Sequence, residues 1–212
     1  MENTRISKIG VIGDVHCNAT LLGKAIQCLT VDCEKIICLG DIVDGFGDAN
    51  RCIEMLSENG VESVLGNHDE WCLQGANLGL KNATRREDLN EVSISYLKGL
   101  KRTIDIDNRF HFCHGLGENN TGKINSDDFG YALESNEEYR KLITDRRIEL
   151  VVRGHQHLFW HGNVRGLEVL TLNSLVSEKP FIVKLNTTSS EIEVYGLASE
   201  EFEYLRTERI GI

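Results

Sequence analysis

Proline occurs once in these 212 residues, no two cysteines form a Cys-x-x-Cys pair, and no apolar run approaches the roughly 20 residues of a membrane-spanning helix. Pro-rich linkers, low-complexity tracts and internal repeats are absent too, so nothing divides the chain, and a membrane partner is not expected. Basic residues are in short supply: 23 Lys and Arg stand against 33 Asp and Glu, a formal charge of −10. Broad electrostatic capture of long nucleic acid or anionic lipid is therefore disfavoured. Seven cysteines (Cys17, Cys28, Cys33, Cys38, Cys52, Cys72 and Cys113) are an odd, scattered set. With the polar stretch Met1 to Ser7 in place of a cationic and apolar leader, they read as free thiols of a reducing, cytoplasmic compartment.

What is present is an ordinary globular composition, 41% hydrophobic and 26% charged, which suits one domain over 1–212 with a well-filled core. Lys8 to Ile12, Ile36 to Leu39 and Val61 to Leu65 are short apolar runs. Helical patterns follow the first two, with Asn18 and Asp48 placed as N-caps and Gly60 as a C-terminal stop. Strands alternating with helices predict a parallel sheet buried on both faces, whose ligand sites lie beyond the carboxyl ends of the strands.

From Glu70 to Asn108 the pattern loosens into a helical excursion, a candidate cap near 70–108. Leu116 to Phe129 is a polar, glycine-containing loop long enough to be a lid or a disordered segment. Asn136 opens another helix, and Leu150 to Val152 another strand. Glu168 to Leu172, Phe181 to Leu185 and Ile192 to Tyr195 are consecutive strand-like runs without helices, expected to pair antiparallel in a second sheet. Pro180 stands at a strand start, where a missing donor is tolerated.

Five polar blocks end these runs: Asp14-x-His16, Gly40-Asp41-x-x-Asp44, Gly66-Asn67-His68-Asp69, His114-Gly115 and Gly154-His155-x-His157. Singly, each is weak. Together on one sheet edge they would gather four carboxylate, imidazole and amide groups around each of two points, and burying them without a cation would cost several kcal/mol. A dinuclear metal centre with Asp41 shared between the ions resolves that cost. His111 and His161 match no block and read as structural.

The set D-x-H, G-D-x-x-D, G-N-H-D/E, H and G-H-x-H resembles that of the calcineurin-like metallophosphoesterase superfamily, over roughly Ile9 to His157. The resemblance implies an α/β fold, a four-layer α-β-β-α sandwich of two mixed sheets flanked by helices. It also implies one metal on Asp14, His16, Asp41 and His157 and a second on Asp41, Asn67, His114 and His155. The ions would be divalent or trivalent Mn, Fe, Zn, Co or Ni, with Mn or Fe favoured, since mixed nitrogen and oxygen donors suit transition metals better than Ca. The implied reaction is hydrolysis of a phosphodiester, phosphomonoester or nucleotide by a hydroxide bridging the metals. His68 would stabilise the transition state or protonate the leaving oxygen, with Asp44 orienting it. Asp69 is expected to fix the loop, and Cys17, where many relatives have glycine, to pack.

The phosphoprotein phosphatases of this superfamily carry arginine where this chain has Gly45 and Leu65, so both phosphate clamps are missing. Arg153 and the Arg85–Arg86 pair are the candidates to replace them. The sequence thus resembles the small prokaryotic metallophosphoesterases, with a small phosphorylated substrate. A Ser/Thr-type protein phosphatase, a nuclease or a non-catalytic scaffold of the same fold are the alternatives.

Overall fold

The apolar runs that precede the five motif blocks each become a strand that leads into its block. The computed structural model describes residues 6–77, 79–197 and 202–211; positions 1–5 of the polar leader lie outside the described residues. The first part of the chain runs β1 (Lys8–Ile12), α1 (Ala19–Leu29), β2 (Lys35–Cys38), α2 (Ala49–Glu58) and β3 (Glu62–Ser63). Both strand pairs are parallel. The expected caps form: Asn18 accepts from the Leu21 N–H and Asp48 from the Arg51 N–H, each at 3.1 Å. Gly60 turns the chain out of α2 with φ at +62°, a conformation that glycine adopts without a Cβ penalty.

Next come α3 (Asn67–Gln74), α4 (Glu91–Gly99), β4 (Thr103–Ile106), β5 (Phe110–Cys113), α5 (Gly130–Glu134), α6 (Glu137–Thr144) and β6 (Leu150–Arg153). The chain closes with β7 (Trp160–Val164), β8 (Leu167–Thr171), β9 (Phe181–Asn186), β10 (Glu191–Gly196) and β11 (Glu203–Arg209). Two mixed sheets result, in the orders β11-β10-β9-β1-β2-β3 and β4-β5-β6-β8-β7.

Side-chain alternation builds three apolar layers from these two sheets. Ile9 and Val11 of β1, Phe110 and Phe112 of β5, Val152 of β6 and Val183 and Leu185 of β9 fill the space between the sheets. Ile12, Cys38 and Ile182 face α1 and α2 on the outer side of the first sheet. Cys113, Val151 and Val169 face Leu133, Tyr139 and Leu142 of the α5–α6 pair. This is the four-layer α-β-β-α sandwich, with all five motif blocks at one end of it. No helix among the described residues is long and apolar enough to cross a membrane.

Three expectations need correction. The 70–108 stretch is only partly helical: α4 forms, but its Leu97, with Leu89 just before it, is buried in the same layer as α2, and Thr103–Ile106 is an edge strand paired antiparallel with β5. Of the last three runs, Glu168 to Leu172 does lie in the second sheet, as β8, antiparallel to β7 but parallel to β6; β9 and β10 pair antiparallel as expected, but in the first sheet, where β9 lies between β1 and β10. The reason is that β9 is apolar on both faces, with Ile182, Val183 and Leu185 all buried, so it fits a central position. The 116–129 loop is anchored: Leu116 and Ile124 are buried, and the guanidinium of Arg153 donates to the carbonyls of Gly122 (3.0 Å) and Ile124 (3.3 Å).

Candidate metal centre

The turns that leave the strands are bent in a way L-residues seldom adopt. His16, Asp41, Asp44, His155 and His157 all have positive φ, between +45° and +68°; such conformations cost about 1–3 kcal/mol each and persist where the surroundings over-determine them. Here the surroundings are one another. The Asp41 carbonyl accepts from the N–H groups of Val15 (3.0 Å) and His16 (2.8 Å), tying the first block to the second. Asp14 accepts from the His155 N–H at 3.0 Å, tying it to the last. Gly154 has to be glycine for this approach, since a Cβ there would lie 2.1 Å from Asp14 Oδ1.

Two groups of donor atoms follow, each within 4.8 Å. Asp14, His16, Asp41 and His157 form the first; Asp41, His114 and His155 form the second. Asn67 belongs with the second, its Oδ1 lying 3.0 Å from His114 Nε2. All seven residues expected as ligands are thus brought together in the expected sets, with Asp41 common to both. Asp14, Asp41, Asn67 and His114 are buried at the floor, while the His157 side chain is 41% exposed at the mouth.

Hydrogen bonding alone does not satisfy this arrangement. His114 Nδ1–H donates to the Leu39 carbonyl at 2.6 Å, which leaves Nε2 facing Asn67 Oδ1 at 3.0 Å and Asp41 Oδ2 at 3.2 Å. Three lone pairs then point at one spot. Either a second ring proton or a cation must separate them, and although burial opposes it, the Asp41 and Asp14 carboxylates push His114 up to about 10. Burial and the neighbouring His114 push His155 down to about 4, and its buried Nε2 has no hydrogen-bond partner among the described residues. In the first group His16 Nδ1–H donates to the Asp44 carbonyl at 2.8 Å, so its Nε2 meets His157 Nε2 at 3.1 Å, nitrogen against nitrogen. Neutral imidazole, carboxylate and amide oxygen are a transition-metal donor set, and cations fit where these lone pairs converge.

His68 stands beside the groups. Its Nδ1–H donates to Asp44 Oδ2 at 2.8 Å, its ring packs on Trp71 with centroids 5.2 Å apart, and Nε2 lies 3.9 Å from Asp41 Oδ2. Burial lowers its pKa, but the Asp44 hydrogen bond and the Asp41 and Asp44 charges outweigh burial and hold it above the ordinary range. Asp69 fixes the loops as expected, accepting from the N–H groups of Ile42, Val43 and Gly66 at 2.8–3.2 Å. Cys17 packs: its buried Sγ lies 3.7 Å from Thr84 Oγ1, and burial pushes the thiol up to about 11. His111 and His161 lie apart from the centre, paired with Asp105, and with Glu168 and Glu208.

Arg153, a candidate phosphate grip, does not reach the centre. Its side chain is fully buried, with the guanidinium spent on Gly122, Ile124 and Gln156. Trp71, Asn77 and Thr84 were not singled out in the sequence, yet all three support His68 or Asp44.

Residues 7–159 match the family model described as calcineurin-like phosphoesterase. An uncharacterized protein of Methanocaldococcus jannaschii, MJ0912, is 39% identical over 64 residues, which is 30% of this chain and 26% of that relative. A metallophosphoesterase from Sphaerobacter thermophilus superposes with a TM-score of 0.70 at 17% identity, over 95% of this chain and 90% of that one. A structure described as a putative diadenosine tetraphosphatase does so with 0.62 at 17% identity, over 92% and 96%.

Proposed function

This chain belongs to the calcineurin-like phosphoesterase family, and from that premise we propose that it is a dinuclear metal-dependent phosphoesterase acting on a small phosphorylated substrate. The observation that carries the reading is the convergence of lone pairs at His114 Nε2, Asn67 Oδ1 and Asp41 Oδ2, together with His155 Nε2, which has no partner among the described residues. Asp14, His16, Asp41 and His157 would hold one ion and Asp41, Asn67, His114 and His155 the other. When bound, two such ions, with Mn or Fe favoured over Zn, Co and Ni, turn water into a nucleophile near neutral pH and screen the charge of the phosphoryl group.

The remaining chemistry belongs to the chain. Asp44 accepts a hydrogen bond from the Nδ1–H of His68 and fixes the ring, whose Nε2 lies 3.9 Å from Asp41 Oδ2. The Asp44 hydrogen bond and the charges of Asp41 and Asp44 favour the imidazolium over the neutral ring, and an Nε2 proton so favoured would pass to the leaving oxygen as the phosphoester bond breaks. Trp71 closes one face of that ring. Substrate reaches the centre past His157 and His68, the exposed and half-buried members of the set. The lack of arginine at positions 45 and 65 and the burial of Arg153 argue for a small substrate over a phosphoprotein.

The test is elemental analysis of protein purified without chelator, paired with a Mn²⁺-dependent assay on a model phosphodiester, a phosphomonoester and a dinucleoside polyphosphate. About two metals per chain and turnover of at least one ester are expected. Less than about one metal after Mn²⁺ loading, with no turnover, would leave a scaffold as the reading.

A further inference from the structure

The carboxylate that holds His68 is itself held, and by residues outside every motif. Asp44 Oδ1 accepts two hydrogen bonds of 2.7 Å, one from Asn77 Nδ2 and one from the Thr84 N–H. The Asp44 N–H in turn donates to Thr84 Oγ1 at 3.0 Å. Asn77 Nδ2 also donates to the Thr84 carbonyl at 2.9 Å, so one amide group spends both hydrogens on this junction. With Oδ1 saturated, Oδ2 is the oxygen left for His68.

The arrangement carries a cost that local stability does not explain. Asn77 is 1% exposed, and its Oδ1 is buried without a partner among the described residues; a buried polar atom left unpaired is unfavourable and calls for a reason. Rotating the amide would turn its oxygen toward the Asp44 carboxylate and the Thr84 carbonyl, which is worse. Asp44 is meanwhile kept at φ +61°, a strained conformation for aspartate. Both features make sense if the purpose is to set where the carboxylate points.

We infer that Asn77 and Thr84 are positioning residues: they fix the orientation of Asp44 and through it aim His68 Nε2 at the reacting centre. The kinetic part of this inference rests on the phosphoesterase reading above, while the structural part does not. A ring whose Nδ1 is locked to one carboxylate oxygen presents Nε2 in one place. Freed, it swings about its side-chain bonds, and proton delivery to the leaving oxygen suffers before metal binding does. The demand on that proton depends on the leaving group, since a nitrophenolate departs without one and an alkoxide does not.

The experiment compares Thr84→Val, which keeps the shape and deletes the Oγ1 acceptor, with Asn77→Ala and with Thr84→Ser as the conservative control. Ring ¹⁵N NMR of His68 reads the orientation without any turnover. Wild type and Thr84→Ser should show Nδ1 protonated and hydrogen-bonded; Thr84→Val and Asn77→Ala should shift that signal toward a mobile ring. In Mn²⁺-loaded protein, kcat for an alkyl ester should fall about 10–100-fold, the range for losing a residue that orients an active-site group. A nitrophenyl ester with the same phosphoryl group should lose less than about 3-fold, with metal content unchanged and Thr84→Ser restoring the rate. An unaltered His68 signal in both variants overturns the inference, as does equal loss for the two esters. A wild type inert toward both esters would remove the proposed function instead, and the NMR signal would then decide the positioning claim by itself.

Discussion

Replacing Asp41 with asparagine should cost the protein both ions while sparing the apo fold. Asp41 is the donor common to both groups, and it is the sole carboxylate of the second, where Asn67, His114 and His155 are neutral ligands. The first group keeps Asp14. In the metal-free protein the substitution keeps the local hydrogen bonds: Oδ1 remains to accept from the His68 N–H at 2.9 Å, and an amide at the Oδ2 position can donate to His114 Nε2, now 3.2 Å from a carboxylate oxygen. Metal linkage supplies the magnitude. At a free Mn²⁺ concentration 100 times Kd, each site adds about 2.7 kcal/mol, or about 5–11 °C in Tm for a chain of this size. A 100-fold loss of affinity cuts that to about 0.4 kcal/mol, or about 1–2 °C. Differential scanning fluorimetry with and without Mn²⁺, alongside metal stoichiometry, reads the difference. The reasoning fails if Asp41→Asn keeps the full Mn²⁺-induced shift, or if it loses one ion while Asp14→Asn or Asn67→Ala loses two.

Other expectations concern single side chains. His68→Ala should retain its metals and lose turnover by about 10²–10³-fold, measured as kcat beside elemental analysis; lost metal would make His68 a ligand. Arg153→Leu should destabilise the fold by about 2–4 kcal/mol in urea melts, because the buried carbonyls of Gly122 and Ile124 lose their donor, and hydrogen exchange should quicken across residues 116–129. Burial lowers the His111 pKa, but neighbouring Cys113 first, and then the 2.7 Å contact to Asp105, push it up to about 9. A raised histidine favours the folded state fully below its unfolded pKa and loses that contribution as pH climbs through about 9. Asp105→Asn should therefore cost about 1 kcal/mol at pH 6, a small figure because Asp105 is half exposed, and the cost should shrink above pH 9; a pH-independent loss would rule the ion pair out.

The centre was legible because each of its residues follows an apolar run, and runs that become parallel strands deliver their ends to one edge. Caps were legible for the same local reason, Asn18, Asp48 and Asn136 each standing one residue before a helical pattern. The strands that escaped notice, β4, β7 and β11, lie at sheet edges, where polar residues are tolerated and the two-residue period fades; β11 reads Glu-Tyr-Leu-Arg-Thr-Glu-Arg and is mostly exposed. Helix α5, five residues long, is too short for periodicity to register. Sheet membership of β9 depends on pairing with β1 some 170 positions earlier, which no local window contains. Asn77 and Thr84 escaped for that reason too: their partner Asp44 is 33 and 40 positions away, and they stand in a loop with no pattern of their own.

The arrangement of arginines bears on how substrate is held. Position 45 is glycine and position 65 leucine. Of the candidate arginines, Arg153 is buried and bonded to backbone carbonyls, Arg85 lies 3.9 Å from Glu87 and Arg86 donates to the Leu73 carbonyl at 3.4 Å, while Arg102 pairs with Glu70 at 2.5 Å. A phosphate entering the centre meets histidines and, on the reading above, the two cations, while Asp14 and Asp41 repel it. Its affinity should then come almost wholly from the ions, because a bound cation inverts the sign of an otherwise acidic pocket. Calorimetry with inorganic phosphate should give measurable binding to the Mn²⁺-loaded protein and none to chelator-treated protein, a loss of at least about 100-fold, or about 2.7 kcal/mol. Retention of phosphate binding after chelation would mean that a guanidinium or lysine reaches the site after all, and would return a phosphoprotein-type grip to consideration.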